Sequence, residues 1–171
     1  LNFAKKFGKP ASYPRLKGLN KKYPQITVVQ RKITDKGPSF GEQFHTDSSY
    51  TKKPPRFTML LSKLVPKKGL ANTEFSSQYL AYENLSNHLK KKLSNLKGIF
   101  SSEGPISITR LEREAERGTG KSKDFLAEHS IVKKVGSKKS LYLSPGHTIA
   151  IKNLSEEASK NLLKFLFNHQ T

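Results

Sequence analysis

The stretch that decides the reading is Gly41-Glu42-Gln43-Phe44-His45-Thr46-Asp47-Ser48-Ser49-Tyr50. His45 and Asp47 stand two residues apart. On an extended segment, residues i and i+2 point to one face, so an imidazole and a carboxylate converge on a common point. They are two of the three groups of a 2-His-1-carboxylate site, which holds Fe(II) and leaves coordination positions open. Taken alone, a His-x-Asp pair more often serves a surface or helix-capping role, so its surroundings have to decide.

Outward from this run, the chain alternates breakers with patterned apolar segments. Phe3, Ala4 and Phe7 share one side of a short opening helix that Gly8 and Pro10 stop. Residues 11–25 read as loop. Ile26-Thr27-Val28-Val29 is β-branched and predicts a strand, followed by a turn at 37–39. Phe57 to Val65 is the clearest strand signal, ended by Pro66 and a Lys-Lys-Gly turn. Its imperfect alternation suits burial on both faces, which makes Thr58, Met59, Leu60 and Leu61 core. From Gln78 to Leu96 the period becomes helical. Tyr79, Tyr82, Leu85, Leu89, Leu93 and Leu96 form one stripe, and Ser86 is placed to divide it into two helices by capping the second. Tyr79 and Tyr82 read as packing and His88, beside the stripe, as a surface residue.

Farther on, Ile106-Ser107-Ile108 predicts a short strand, and Leu111 to Lys123 an exposed helix or mobile loop with paired charges. Ser130–Val135 and Ser140–Leu143 predict a hairpin around Gly136-Ser137, with His129 a structural residue at its head. His147–Ile151 predicts another strand. A last helix starts after Ser155, with Glu156 and Glu157 complementing its dipole. Strands interrupted by helices, mostly through non-local connections, give a mixed α+β pattern and not alternating βαβ units.

Composition narrows the function classes. The 171 residues suit one domain. Hydrophobic residues make up 34%, a lean core but a patterned one. The absence of Cys removes disulfides, thiolate catalysis and Cys-ligated zinc. No run approaches the roughly 18 apolar residues of a membrane span. The N-terminal residues offer no apolar stretch for a signal peptide, so a cytoplasmic protein without membrane partners is expected. The net charge of +19 is the footprint of a nucleic-acid binder. Yet only six of the 32 cations are Arg, and the Lys doublets scatter along the chain, which favours solvated faces over nucleic acid.

With these elements in place, the chain resembles the taurine/2,4-D dioxygenase (TauD/TfdA) family of Fe(II)/2-oxoglutarate-dependent oxygenases. The resemblance rests on Phe44-His45-Thr46-Asp47, Tyr50, Pro54-Pro55, Thr58-Met59-Leu60-Leu61 and Asn72-Thr73-Glu74-Phe75. It continues through Tyr79-Leu80-Ala81-Tyr82-Glu83-Asn84-Leu85-Ser86, His129-Ser130-Ile131-Val132, Leu141–Gly146 and the segment Leu154–Phe167. It implies a double-stranded β-helix (jelly-roll) core with flanking helices, incomplete at both ends, and a single domain over 1–171 lacking the family's C-terminal segment. It implies His45 and Asp47 as iron ligands and Thr73 as a hydroxyl donor to 2-oxoglutarate. The implied reaction couples decarboxylation of 2-oxoglutarate to succinate with O2-dependent oxidation of a C–H bond in a small organic substrate.

Three departures qualify this expectation. The family's second iron-binding His and its 2-oxoglutarate-pairing Arg fall beyond Thr171. His147 and His169 match family positions that are not ligands, so a truncated, non-catalytic member is the alternative reading, with a basic nucleic-acid-binding domain behind it. Gly69-Leu70-Ala71-Asn72 replaces Gly-Gly-Asp before Thr73. The family's taurine-binding His and Asn fall near Tyr13 and at Gly41, so taurine is not the expected substrate. Tyr13, Ser48 and Tyr50 are the candidates for lining the substrate pocket, the last two on the same extended run as the ligand pair. Phe and Leu on the terminal helix predict a homo-oligomer or partner segments.

Overall fold

The computed structural model describes residues 1–13, 16–36, 39–105 and 124–171. They form two compact units: Leu1–Asp35 with Pro55–Phe75, and Lys36–Pro54 with Ser76–Thr171. The predicted strand at 106–108, the charged stretch at 111–123 and most of the 37–39 turn lie outside the described residues.

In the first unit, α1 spans Asn2–Lys5, and the Phe7 ring packs tilted against Phe3 at 5.3 Å and edge to face against Phe57 at 5.8 Å. A loop at 19–26 is closed by the Leu19 N–H donating to the Ile26 carbonyl and by the Asn20 side chain accepting from Lys22 and Tyr23. Two expectations fail here. Neither Ile26–Val29 nor Phe57–Val65 forms a strand, and apart from the half-buried Ile26 their apolar side chains lie exposed, Leu61 at 83% and Leu64 at 95%. The Thr58–Leu61 run is therefore not core. Apolar, β-branched sequence supplies only the faces of a strand; a ladder also needs a neighbour to pair its N–H and C=O groups, and no described segment provides one.

The second unit carries the regular structure. Ser77 caps α2 (Gln78–Glu83) and Ser86 caps α3 (Asn87–Leu93), its hydroxyl accepting from the Leu89 N–H. The stripe divides where expected, Tyr82, Leu85 and Leu93 being buried and His88 exposed. Three antiparallel strands follow the order β2-β1-β5, from β1 (Lys97–Ser101), β2 (Leu126–Ser130) and β5 (Thr148–Ile151). A separate hairpin pairs β3 (Val132–Val135) with β4 (Lys138–Leu141), turning through Gly136 at φ +62°, a conformation a Cβ penalises.

The predicted Ser130–Val135 strand is two strands, because Ile131 switches sheets. Its N–H donates to the Leu96 carbonyl, and its carbonyl accepts from Tyr142. Helix α4 (Glu156–Gln170) begins at the Ser155 cap and lays Leu163 and Leu166 on a core made with Ala81, Tyr82, Leu85, Leu93, Ile131, Leu141, Leu143 and Ile151. The architecture is mixed α+β with antiparallel sheets. No helix among the described residues is long and apolar enough to cross a membrane.

At the end of β1, the carboxylate of Asp124 accepts from the hydroxyls of Ser101 (2.9 and 3.0 Å) and Ser102 (2.6 Å), both buried. Those hydroxyls in turn accept from the Glu103 and Phe125 N–H groups. A compact knot thus joins residues 101–103 to 124–125.

Candidate metal centre

Gly41, at φ +75°, bends the chain into the run that carries the pair. The His45 imidazole donates from Nδ1 to the Gln43 carbonyl at 2.7 Å. That bond selects the tautomer and leaves Nε2 facing Asp47, 3.2 Å from Oδ1. Both side chains are partly shielded, with 23% and 34% of their surface exposed. The hydrogen bond that Asp47 accepts from the imidazole raises the His45 pKa above its ordinary value; burial opposes this, and the Gln43 carbonyl and the Asp47 charge add to it.

Beyond Asp47 the extended run ends. Residues 47–50 form a turn with Ser48 at φ +48°, and the Thr51 N–H and hydroxyl both donate to the Ser48 carbonyl, at 3.0 and 2.8 Å. Ser48 and Tyr50 are therefore not on the extended segment that the sequence suggests. Both are buried, and the Tyr50 ring packs edge-on against His147 at 4.9 Å and tilted against Phe125 at 6.3 Å. The turn answers a packing demand, since it carries Tyr50 inward under His147.

The turn between β4 and β5 meets the pair from across the fold. The Thr46 N–H donates to the Ser144 hydroxyl at 3.1 Å, and the buried His147 ring stands edge-on to the His45 ring at 6.5 Å. Sequence reasoning assigned Ser144 no role, and with 98 residues between the partners no local pattern signals the contact. His129 donates from Nε2 to the Thr51 carbonyl at 3.0 Å within an aromatic cluster of Phe100 and Tyr142. Burial and the Lys133 charge push its pKa down. His169 bonds the Ala81 carbonyl at 2.8 Å and stacks on Phe165. Both histidines are structural.

Thr73 and Tyr13 lie in the first unit, Thr73 exposed and Tyr13 half-buried. The segment before Thr73 is a turn closed by the Leu70 N–H on the Lys67 carbonyl, with Gly69 and Ala71 both at positive φ. An open cavity of about 330 Å³ is lined by Glu42, Gln43, Phe44, Pro145 and Phe167, beside the pair without including it.

The donor set suits a cation. With Nδ1–H committed to Gln43, Nε2 and the Asp47 oxygen would present lone pairs to each other, an arrangement that needs a positive centre, either a proton or a metal ion. One imidazole nitrogen and one carboxylate oxygen are ligands that Fe(II) accepts. No group of three His, Cys, Asp or Glu side chains comes together among the described residues, so the pair supplies two ligands.

A family model described as "Taurine catabolism dioxygenase TauD, TfdA family" matches residues 1–171. The chain belongs to the TauD/TfdA family. Among curated relatives, an alpha-ketoglutarate-dependent dioxygenase, cnsP, of Penicillium expansum is 31% identical over 129 residues, covering 74% of this chain and 34% of its own. An alpha-ketoglutarate-dependent sulfonate dioxygenase of Saccharomyces cerevisiae is 29% identical over 163 residues, covering 94% of this chain and 38% of its own. This chain therefore spans well under half the length of either. The crystal structure of a taurine dioxygenase from Burkholderia xenovorans superposes with a TM-score of 0.64 at 21% identity, over 99% of this chain and 53% of that one, which establishes a taurine dioxygenase-like fold.

Proposed function

We propose that the protein is an Fe(II)/2-oxoglutarate-dependent dioxygenase that oxidises a C–H bond of a small organic substrate, consuming O2 and releasing succinate and CO2. The observation that carries this reading is the convergence of His45 Nε2 and Asp47 Oδ1 at 3.2 Å, with the tautomer set by Gln43. Family membership over the whole chain supports it.

In this reading His45 and Asp47 hold the iron, and Thr73 donates its hydroxyl to a carboxylate of 2-oxoglutarate. The bound iron and cosubstrate supply the oxidising chemistry. The chain's own share is geometric. The Gln43 carbonyl keeps the proton on Nδ1 so that Nε2 stays a ligand. The turn at 47–50 buries Tyr50 and so walls one side of the pair from water. Ser48, Tyr50 and Tyr13 border the substrate. We assign a substrate other than taurine, because the positions at which the family binds taurine fall near Tyr13 and at Gly41 here, neither of which supplies the family's His or Asn. Residues 1–171 act within one oxygenase domain on a double-stranded β-helix core, in the cytoplasm.

The test is succinate release that requires both Fe(II) and 2-oxoglutarate. His45→Ala and Asp47→Ala each remove a ligand and are expected to abolish it. Turnover at the unsubstituted level in either variant refutes the assignment.

A further inference from the structure

We propose that Ser144 is a positioning residue for the His45/Asp47 pair, acting through the backbone of Thr46. The inference rests on the reading of that pair as a metal site. Thr46 stands between the two candidate ligands, and its N–H belongs to the peptide unit that joins it to His45. Rotation of that unit swings the imidazole relative to the carboxylate. The Ser144 hydroxyl accepts this N–H at 3.1 Å and holds the unit in place.

Ser144 is well built for such a task. It is fully buried, and its own backbone is tied on both sides. Its N–H donates to the Thr148 hydroxyl at 2.9 Å, and its carbonyl accepts from the His147 and Thr148 N–H groups at 2.9 and 2.7 Å. The turn is fastened to the sheet where the Ser101 N–H donates to the His147 carbonyl at 2.9 Å. A rigid turn on the central sheet thus presents one oxygen to the middle of the segment that carries the pair. Partners that orient metal ligands typically influence metal affinity by about 10- to 100-fold.

The experiment titrates the protein with Mn(II), followed by electron paramagnetic resonance, in Ser144→Ala and in Ser159→Ala. The second variant is a matched control, because the buried Ser159 hydroxyl also accepts a backbone N–H, that of Ile151 at 2.8 Å, far from the pair in sequence and role. Ser144→Ala is expected to weaken Mn(II) binding by at least about tenfold and to accelerate hydrogen exchange at the Thr46 amide, while Ser159→Ala does neither. Should Ser144→Ala fail to fold, Ser144→Thr and Ser144→Val, alike in shape, decide: affinity kept with Thr and lost with Val supports the role. Unchanged Mn(II) affinity in Ser144→Ala, equal losses in Ser144→Ala and Ser159→Ala, or equal affinity in the Thr and Val variants overturns it. Absence of Mn(II) binding in the unsubstituted protein instead refutes the metal-site reading itself, and the inference with it.

Discussion

Replacing Gly41 with Ala tests whether backbone conformation next to the pair is tuned to the imidazole. Gly41 sits at φ +75°, and a Cβ built there would lie 3.3 Å from His45 Cε1 and 4.0 Å from Nε2. Gly136 sits at φ +62° in the hairpin turn, where a Cβ would meet nothing within 4 Å. Both substitutions incur the left-handed penalty of an L-residue, about 1 kcal/mol after allowing for the stiffer unfolded chain. In a chain of this size that lowers the melting temperature by about 3 °C. Only Gly41→Ala also presses on the ring, since carbon atoms prefer about 3.5–4.0 Å. The ring must give by a few tenths of an ångström, and it is pinned at 2.7 Å to the Gln43 carbonyl. The expected pattern is a loss of stability by calorimetry in both variants, the larger in Gly41→Ala, with Mn(II) affinity reduced about tenfold in Gly41→Ala alone. Equal Mn(II) affinity in the two variants, or no loss of stability in Gly41→Ala, would refute the reasoning.

Further outcomes follow from other contacts. Asp124→Ala removes the acceptor to which the Ser101 and Ser102 hydroxyls donate and is expected to cost about 2–3 kcal/mol in urea unfolding, allowing for the half-exposed carboxylate. A change within about 0.5 kcal/mol would show that the knot is not structural. His129 is expected to titrate below 6.5 by NMR, and Lys133→Gln to return it part of the way, burial being the larger cause. Because its folded pKa is depressed, His129 binds fewer protons folded than unfolded. The stability it contributes is complete above pH 6.5 and is lost as pH falls from there through its folded value. A midpoint at or above 6.5 contradicts the burial seen around the ring.

What could be read from the sequence was what local rules control. The stripe from Tyr79 to Leu96, divided by the Ser86 cap, depends on helical spacing and on one hydroxyl at a helix start. The Gly136 turn depends on one residue free to adopt positive φ. Meeting of His45 and Asp47 follows from alternation over three residues. Where pairing is non-local, sequence misled. Phe57–Val65 has the composition of a strand but no described neighbour, whereas Lys97–Ser101, polar at one end and interrupted by Gly98, is the central strand because β2 and β5 flank it. Ser48 and Tyr50 were misplaced for the same reason: the turn at 47–50 serves a contact with His147 from the other end of the unit.

The Ser101–Ser102–Asp124 knot acts as a lock on strand register. It fastens residues 101–103 to 124–125 beside the Ser101–Leu126 pair of the β1–β2 ladder. A slip of one residue between the two strands would break these side-chain bonds together and turn every side chain of one strand to the opposite face, so the alignment is specified twice, once by the backbone and once by three polar side chains.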